Sequence, residues 1–357
     1  MSAEEENPNT YVKGRGAQLN PHNHFQKNDY VQEHVEGIDD WEVEQRKTSF
    51  IMGAAKSIVN KVDSPDVGMA YSLNPYQGCE HGCTYCYARN AHEYWGYSAG
   101  LDFEQKIIVK QDAPALFKKF LEKKGWDASV ISLSGNTDCY QPAERKFGLT
   151  RKLLEIALAY KQPIGMITKN SLILRDKDIL QEMAKHNLCR VYVSINSLNE
   201  DLRMKMEPRT TTARQRLKIV AELSKAGIPM GVMVAPLVPG LSDHEVPKIL
   251  KAIAENGAQR AGYTVVRLNG AIGPIFEDWL KKNYPDRADK VWHMIQSCHG
   301  GSVNDSRFGD RMRGDGNIAQ MIRDTFKIHC RINKLNLDDT PLNSSLFRVP
   351  GSQLGLF

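Results

Sequence analysis

The stretch NPYQGCEHGCTYCYAR, residues Asn74 to Arg89, packs three of the seven cysteines into eight residues and decides how the rest is read. The spacing is CxxxCxxC, at Cys79, Cys83 and Cys86. Thiolates are soft ligands, so so tight a cluster points to a metal or an iron-sulfur centre more than to a disulfide framework. Gly78 and Gly82 each precede a cysteine and permit the backbone turns that let three sulfurs converge from a loop. Protein-held 4Fe-4S clusters ordinarily use four cysteines, so three would leave one iron without a protein ligand. The competing reading is a structural zinc site completed by His81 or His92.

Working outward, the 357 residues suffice for one large domain with extensions, or for two ordinary ones. With 41% hydrophobic residues and a mean hydropathy of -0.46, a soluble chain is expected. No apolar run approaches the roughly 20 residues of a membrane span. The opening MSAEEENPNT has neither the basic nor the apolar region of a secretory signal, so a cytoplasmic location is expected, which suits reduced thiols. Residues 1–60 hold 6 Lys/Arg against 10 Asp/Glu, which leaves 41 against 32 for the remainder, a surplus of 9 positive charges. A positive body is compatible with a polyanionic partner such as nucleic acid.

Residues 1–62 read as an extended polar arm, with the charged run EHVEGIDDWEVEQR inside it. Alternation returns between Val67 and Leu73, predicting a strand that leads into the cysteine loop. An aromatic-rich helix, YARNAHEYWGYS, follows Cys86. The run IIVK comes next, then a helix opened by Asp112 with Pro114 in its first turn. Strands are predicted at 129–134, 163–168, 189–195, 229–235 and 262–268, with helices at 149–161, 176–187, 211–226 and 243–256. Apolar strands separated by amphipathic helices imply a parallel sheet covered by helices with right-handed crossovers. With the strand before the cysteines there are six units over residues 63–270. Periodicity alone leaves open a full eight-unit barrel or a doubly wound sheet.

With Tyr85 before the last cysteine, CEHGCTYC resembles the CxxxCxΦC loop of the radical S-adenosylmethionine (radical-SAM) superfamily, where Φ is aromatic. That resemblance implies a partial (β/α)6 TIM-like barrel, a 4Fe-4S cluster, and SAM chelated to the iron that the protein leaves open. It also implies reductive cleavage of SAM to methionine and a 5'-deoxyadenosyl radical that abstracts hydrogen from a substrate. An electron donor such as flavodoxin or ferredoxin is implied with it. Across residues 65–270 the chain is most similar to the spore-photoproduct-lyase-like, or DNA-repair-photolyase-like, branch. Local similarity to this bacterial group also suggests that RGAQLNPHNHF, Arg15 to Phe25, packs on the core.

In such folds the chemistry sits just past the carboxyl end of each strand. The resemblance places Thr137 and Asp138 at the SAM amino group, Lys169 at its carboxylate and Ser194 at carboxylate or ribose. Arg209 would clamp a carboxylate, and Tyr85 lies in the cluster loop. The segment APLVPGLSDHE, shaped by Pro236, Pro239 and Gly240, would line the adenine. One departure bears on the reaction: the lyase carries a hydrogen-donating cysteine three residues before the aspartate, where this chain has Gly135. The missing thiol argues against photoproduct repair as such. Cys139 or Tyr140 is the neighbouring candidate for a radical partner.

Residues 271–335 read as a helical basic extension that covers the open side of the barrel or touches phosphates, with 11 Lys/Arg and 6 Asp/Glu between Lys281 and Lys334. Cys298, His299, His329 and Cys330 are too dispersed to make a second metal site convincing. Residues 336–357 read as a flexible tail. Its end, Gln353-Leu354-Gly355-Leu356-Phe357, resembles the QLxLF peptide that docks on the bacterial DNA sliding clamp. Two readings from other classes compete with the enzyme: a zinc-bearing nucleic-acid-binding module, and a clamp-tethered scaffold with a degenerate barrel.

Overall fold

The computed structural model of the protein describes residues 11–26 and 47–351. Both the charged run of residues 33–46 and the clamp-like peptide Gln353 to Phe357 lie outside them. In chain order the strands are β1 (Ser49–Met52), β2 (Val59–Lys61), β3 (Tyr71–Leu73), β4 (Tyr76–Gln77), β5 (Lys106–Val109), β6 (Ile131–Leu133), β7 (Ile164–Thr168), β8 (Cys189–Ser194), β9 (Met230–Leu237) and β10 (Arg260–Val265). Seven form one sheet in the order β10-β9-β8-β7-β6-β3-β2. Its pairs are parallel except β2 with β3, so β3 and β6 to β10 make the expected six units.

Because spatial order follows chain order, every crossover steps the same way. Crossovers of one hand then place all the helices on one face, which rules out the doubly wound arrangement. The strands therefore alternate instead of being apolar throughout. Ile131, Leu133, Ile164, Met166, Val191, Val193, Val232 and Val234 are buried in the helix-facing core. Their neighbours Ser132, Gly165, Ile167, Arg190, Tyr192 and Met233 line a cavity of 1390 Å³ on the concave face. Period-two alternation is what a sheet with one packed and one open face requires.

The two ends of this sheet are joined by a loop. Met312 O accepts from Val265 N at the end of β10 (2.9 Å), and Val303 O accepts from Leu268 N (2.9 Å). Across the gap, the Gly309 amide donates to Asp66 (2.7 Å), and Arg311 donates to Ser64 (2.6 Å) and pairs with Asp66, in the β2–β3 connection. The basic extension thus closes the side of the barrel, and its long helix, Gly316–Ile332, packs against the helix Val246–Glu255.

Two stretches expected to be loose are held in place. Residues 49–61, assigned to the polar arm, contribute β1 and β2 because Phe50 and Ile58 have apolar partners. Residues 336–349, assigned to a flexible tail, cross the amino-terminal ends of the strands. Asn336 exchanges hydrogen bonds with the Ala261 backbone (both 2.9 Å), Asn187 donates to Pro341 O (2.8 Å), and Arg348 N donates to Tyr160 O (3.0 Å). Scattered asparagines and backbone groups, with Phe347 and Val349 packed on the core at its end, fix this strap, so no periodic pattern announced it.

Replacing Arg311 by alanine should leave the 8% exposed Asp66 carboxylate without its cation and lower stability by about 3 kcal/mol in urea unfolding. The Asp66→Ala/Arg311→Ala double variant should lose less than the two single losses added.

Candidate active site

β4 pairs with β5 in a separate three-stranded sheet and runs straight into Gly78 and Cys79. The turn is possible because Gly78 and Gly82 take φ of +79° and +69°. All seven cysteines are free; Cys79 and Cys83 are buried and Cys86 half-buried. Burial pushes the Cys79 thiol well up, helped by Asp138 and the other two sulfurs, and pushes Cys83 to about 12 despite Lys169. Without a compensating cation the pocket resists thiolate charge, so a multi-iron centre with three thiolate ligands fits this donor set by displacing those protons. Among the described residues no group of three or more His, Cys, Asp or Glu is arranged around a single ion. His81 is engaged elsewhere, its Nδ1 3.3 Å from Asp138 and its Nε2 3.2 Å from Asn170. His92 lies behind Gly78 beside Tyr97 and Phe103, where burial lowers its pKa to about 4.

The loop after β6 braces the cysteine loop along its length. Thr137 Oγ1 donates to Tyr76 O (2.7 Å) and Asn136 Nδ2 to Gln77 Oε1 (2.9 Å). Gln141 donates to Gly78 O (2.9 Å) and accepts from Glu80 N (3.1 Å). Asp138 faces His81 and accepts from Thr168 Oγ1 and Lys169 N, both at 2.8 Å. Burial alone would raise its pKa, but His81 and these donors outweigh it and hold it at about 2. Thr137 and Asp138 thus brace the cysteine loop, the Thr137 hydroxyl through its proton and Asp138 through both oxygens.

From the other side a buried cluster absent from the sequence reading holds the same loop. Arg89 donates to Cys83 O (2.9 Å), Ala99 O (3.1 Å) and Gly100 O (2.9 Å), and pairs with Glu104 at 2.5 Å. Glu104 accepts from the amides of Gly16 (3.1 Å) and Ala17 (2.8 Å). A Cβ on Gly16 would sit 1.7 Å from Gly82 O, so the segment from Arg15 does pack against the cysteine loop and requires glycine there.

A third group closes over Tyr85. Its phenol donates to Glu207, Glu207 pairs with Arg216 at 2.5 Å, and Arg216 donates to Ser194 O (2.9 Å). Glu207 stays ionised: Arg216 and Lys169 overcome the burial that would raise its pKa. The Lys169 ammonium lies 6.0 Å from the Tyr85 ring centroid, and Arg209 is 3.6 Å from Glu80 in the cysteine loop. Lys169, Glu207 and Arg216 thus gather at Cys83, with Tyr85 held by Glu207, Ser194 reached through its carbonyl on Arg216, and Arg209 set further along the loop at Glu80. Arg216 escaped sequence reading because a basic residue on an amphipathic helix looks like solvated surface.

Cys139 and Tyr140 are not brought there. Both are fully buried in the helix-facing core; Tyr140 donates to Asp176 (3.1 Å), and the Cys139 thiol is held protonated by burial. Neither opens to a substrate, which corrects their assignment as radical partners. Cys298 and His299 are likewise buried, with His299 Nε2 2.8 Å from Val266 O.

Residues 73–253 match the Radical SAM superfamily. An uncharacterized protein of Mycobacterium tuberculosis is 32% identical over 244 residues, 68% of this chain and 72% of that one. Spore photoproduct lyase complexed with dinucleoside spore photoproduct has a similar fold, with a TM-score of 0.60 at 17% identity over 84% of this chain and 85% of that one. A mutant of that lyase with bound AdoMet and dinucleoside spore photoproduct gives a TM-score of 0.58, also at 17% identity and over 84% and 85% of the two chains. The chain belongs to the radical-SAM superfamily. It is a radical-SAM enzyme, and its cofactors are a 4Fe-4S cluster and S-adenosylmethionine.

Since Asp138 has its pKa lowered to about 2, its contribution to stability is complete above the unfolded value near 4 and fades as pH falls towards 2. Asp138→Asn should cost about 2 kcal/mol at pH 7, as urea unfolding of the cluster-free protein would read, and this difference should shrink as the pH drops from about 4 to about 2.

Proposed function

We propose that the protein reductively cleaves SAM beside the cysteine loop and abstracts hydrogen from DNA or a DNA-associated substrate. The observation that carries the first part is the loop itself: three free thiols on one glycine-turned segment, fixed on each side by buried hydrogen bonds. Cys79, Cys83 and Cys86 would hold the iron, leaving no fourth protein ligand. When bound, the cluster and SAM supply one-electron cleavage of the sulfonium and a hydrogen-abstracting fragment. Lys169, charged beside Cys83, would orient the SAM carboxylate, with Arg209 and Ser194 nearby. Tyr85, tethered through Glu207 to Arg216, would wall the site against water.

DNA is supported by the positive surplus of the body and by the lyase of similar fold captured with a dinucleoside photoproduct. Against photoproduct repair itself stands Gly135, where a Cβ would meet Ser72 Cβ at 2.6 Å, so position 135 has no room for a thiol. Electrons would come from a small flavodoxin or ferredoxin in the cytoplasm. No helix among the described residues is long and apolar enough to cross a membrane.

After anaerobic reconstitution under dithionite, 5'-deoxyadenosine release should be measurable by chromatography and should rise with damaged or undamaged DNA. Cys83→Ala should drop it to background. Release indifferent to every DNA would remove the DNA reading and leave SAM cleavage standing, whereas a colourless, zinc-containing, sulfide-free protein would restore the zinc module. Gln353 to Phe357 would dock on the sliding clamp: the purified clamp should be retained by the full chain and lost on truncation of Leu356 and Phe357. Equal retention would dispose of that partner.

A further inference from the structure

The concave face carries chemistry that the cluster site does not use. Around the 1390 Å³ cavity stand Arg190, Arg313, Arg323, Lys327 and Arg331. Among the described residues none of these five makes an ion pair with a carboxylate, and the acid that shares the cavity, Asp66, is already paired with Arg311. Five like charges around one hollow repel one another, with Asp338 of the strap acting on Arg190 from outside it, and an anion in the hollow turns that repulsion into attraction.

Two of the five are pre-set by backbone carbonyls. Arg190 donates to Thr340 O in the strap, and Arg323 donates to Gly314 O (3.1 Å). Lys327 and Arg331 sit one turn apart on the helix Gly316–Ile332, with exposed side chains free to close on a ligand. Three aromatic rings line the same hollow: Tyr192, Tyr263 and Phe326, the last two stacked at 4.5 Å and 40°. Guanidinium forks match phosphate oxygens, and ring faces match a nucleobase. A cavity beyond the roughly 300–1,000 Å³ of ordinary ligand pockets has room for such a unit and for a chain leading away from it.

We infer that the amino-terminal mouth of the barrel binds a phosphate-bearing nucleotide unit, at a site separate from the cluster. Arg190 and Ser194 lie on β8 four residues apart, about 13 Å along the strand, so a phosphate held at one end is well removed from a reacting atom at the other. The site stands on the charge and shape of this mouth whether or not the cluster's own substrate is DNA. Such a unit comes either free or within a strand, and the two sources are separable.

The test uses the full-length, cluster-loaded protein with adenosine monophosphate and with a fluorescein-labelled oligothymidylate, titrated by calorimetry and anisotropy between 50 and 200 mM salt. Lys327→Glu/Arg331→Glu should weaken binding by more than about tenfold. For the strand it should also reduce the slope of log affinity against log salt by about 1.4, the loss of two phosphate contacts. Binding of the monophosphate alone identifies a free nucleotide, and binding of the strand alone a nucleic acid. The inference is overturned if neither probe binds, or if the double variant binds both as the parent does, including a monophosphate that merely competes with SAM. Deoxyadenosine release without DNA, followed in parallel, should be unchanged in this variant; its absence from the parent protein would strike the cluster assignment and leave this site standing.

Discussion

The ion pair between Arg89 and Glu104, enclosed on every side, is the constraint on which the catalytic end depends. A buried charge stripped of its partner is costly, so each must keep the other and fill its remaining hydrogen-bonding positions. Glu104 does this with the amides of Gly16 and Ala17, and Arg89 with the carbonyls of Cys83, Ala99 and Gly100. The segment at residues 16–17, far off in sequence, and the stretch 99–104 are thereby tied to the middle cysteine. A loop with glycine turns would otherwise sample many arrangements, and ligands fixed in advance bind a cluster with less ordering cost.

The loop following β6 does the corresponding work from the barrel side. Its threonine and aspartate are turned toward the cysteine segment, Thr137 to the Tyr76 carbonyl and Asp138 to His81. The contact between the Tyr87 phenol and Gly135 O (2.8 Å) adds a further strut between the two loops. Small residues at positions 16 and 135 are then requirements of close approach, not of local flexibility.

Local patterns carried much of this into the sequence. Five short apolar runs and one alternating stretch announced six parallel strands, and the cysteine spacing placed the site after the first. The residues after the strands were singled out because chemistry in such barrels sits at the carboxyl ends of the strands. What stayed hidden were partners: Glu104 for Arg89, Glu207 for Tyr85, Arg216 for Glu207. Periodicity tells which face a residue occupies, but not which lone pairs are already taken. That is why Cys139, one position past Asp138, read as exposed chemistry when it belongs to the core. The strap of residues 336–349 was missed for a similar reason, since asparagine side chains, backbone groups and two isolated apolar anchors, Phe347 and Val349, hold it.

The sheet meets itself through the loop of residues 303–313, and that seam differs in kind from the rest of the wall. Elsewhere neighbouring strands are laced by regular backbone ladders, which fix their spacing and are indifferent to electrolyte. At the seam a few backbone bonds and one arginine clasped to one aspartate do the joining. The girth of the barrel thus depends on an electrostatic clasp beside a few backbone bonds, and because that clasp is largely shielded from solvent, added electrolyte reaches it far less than the loss of either partner would.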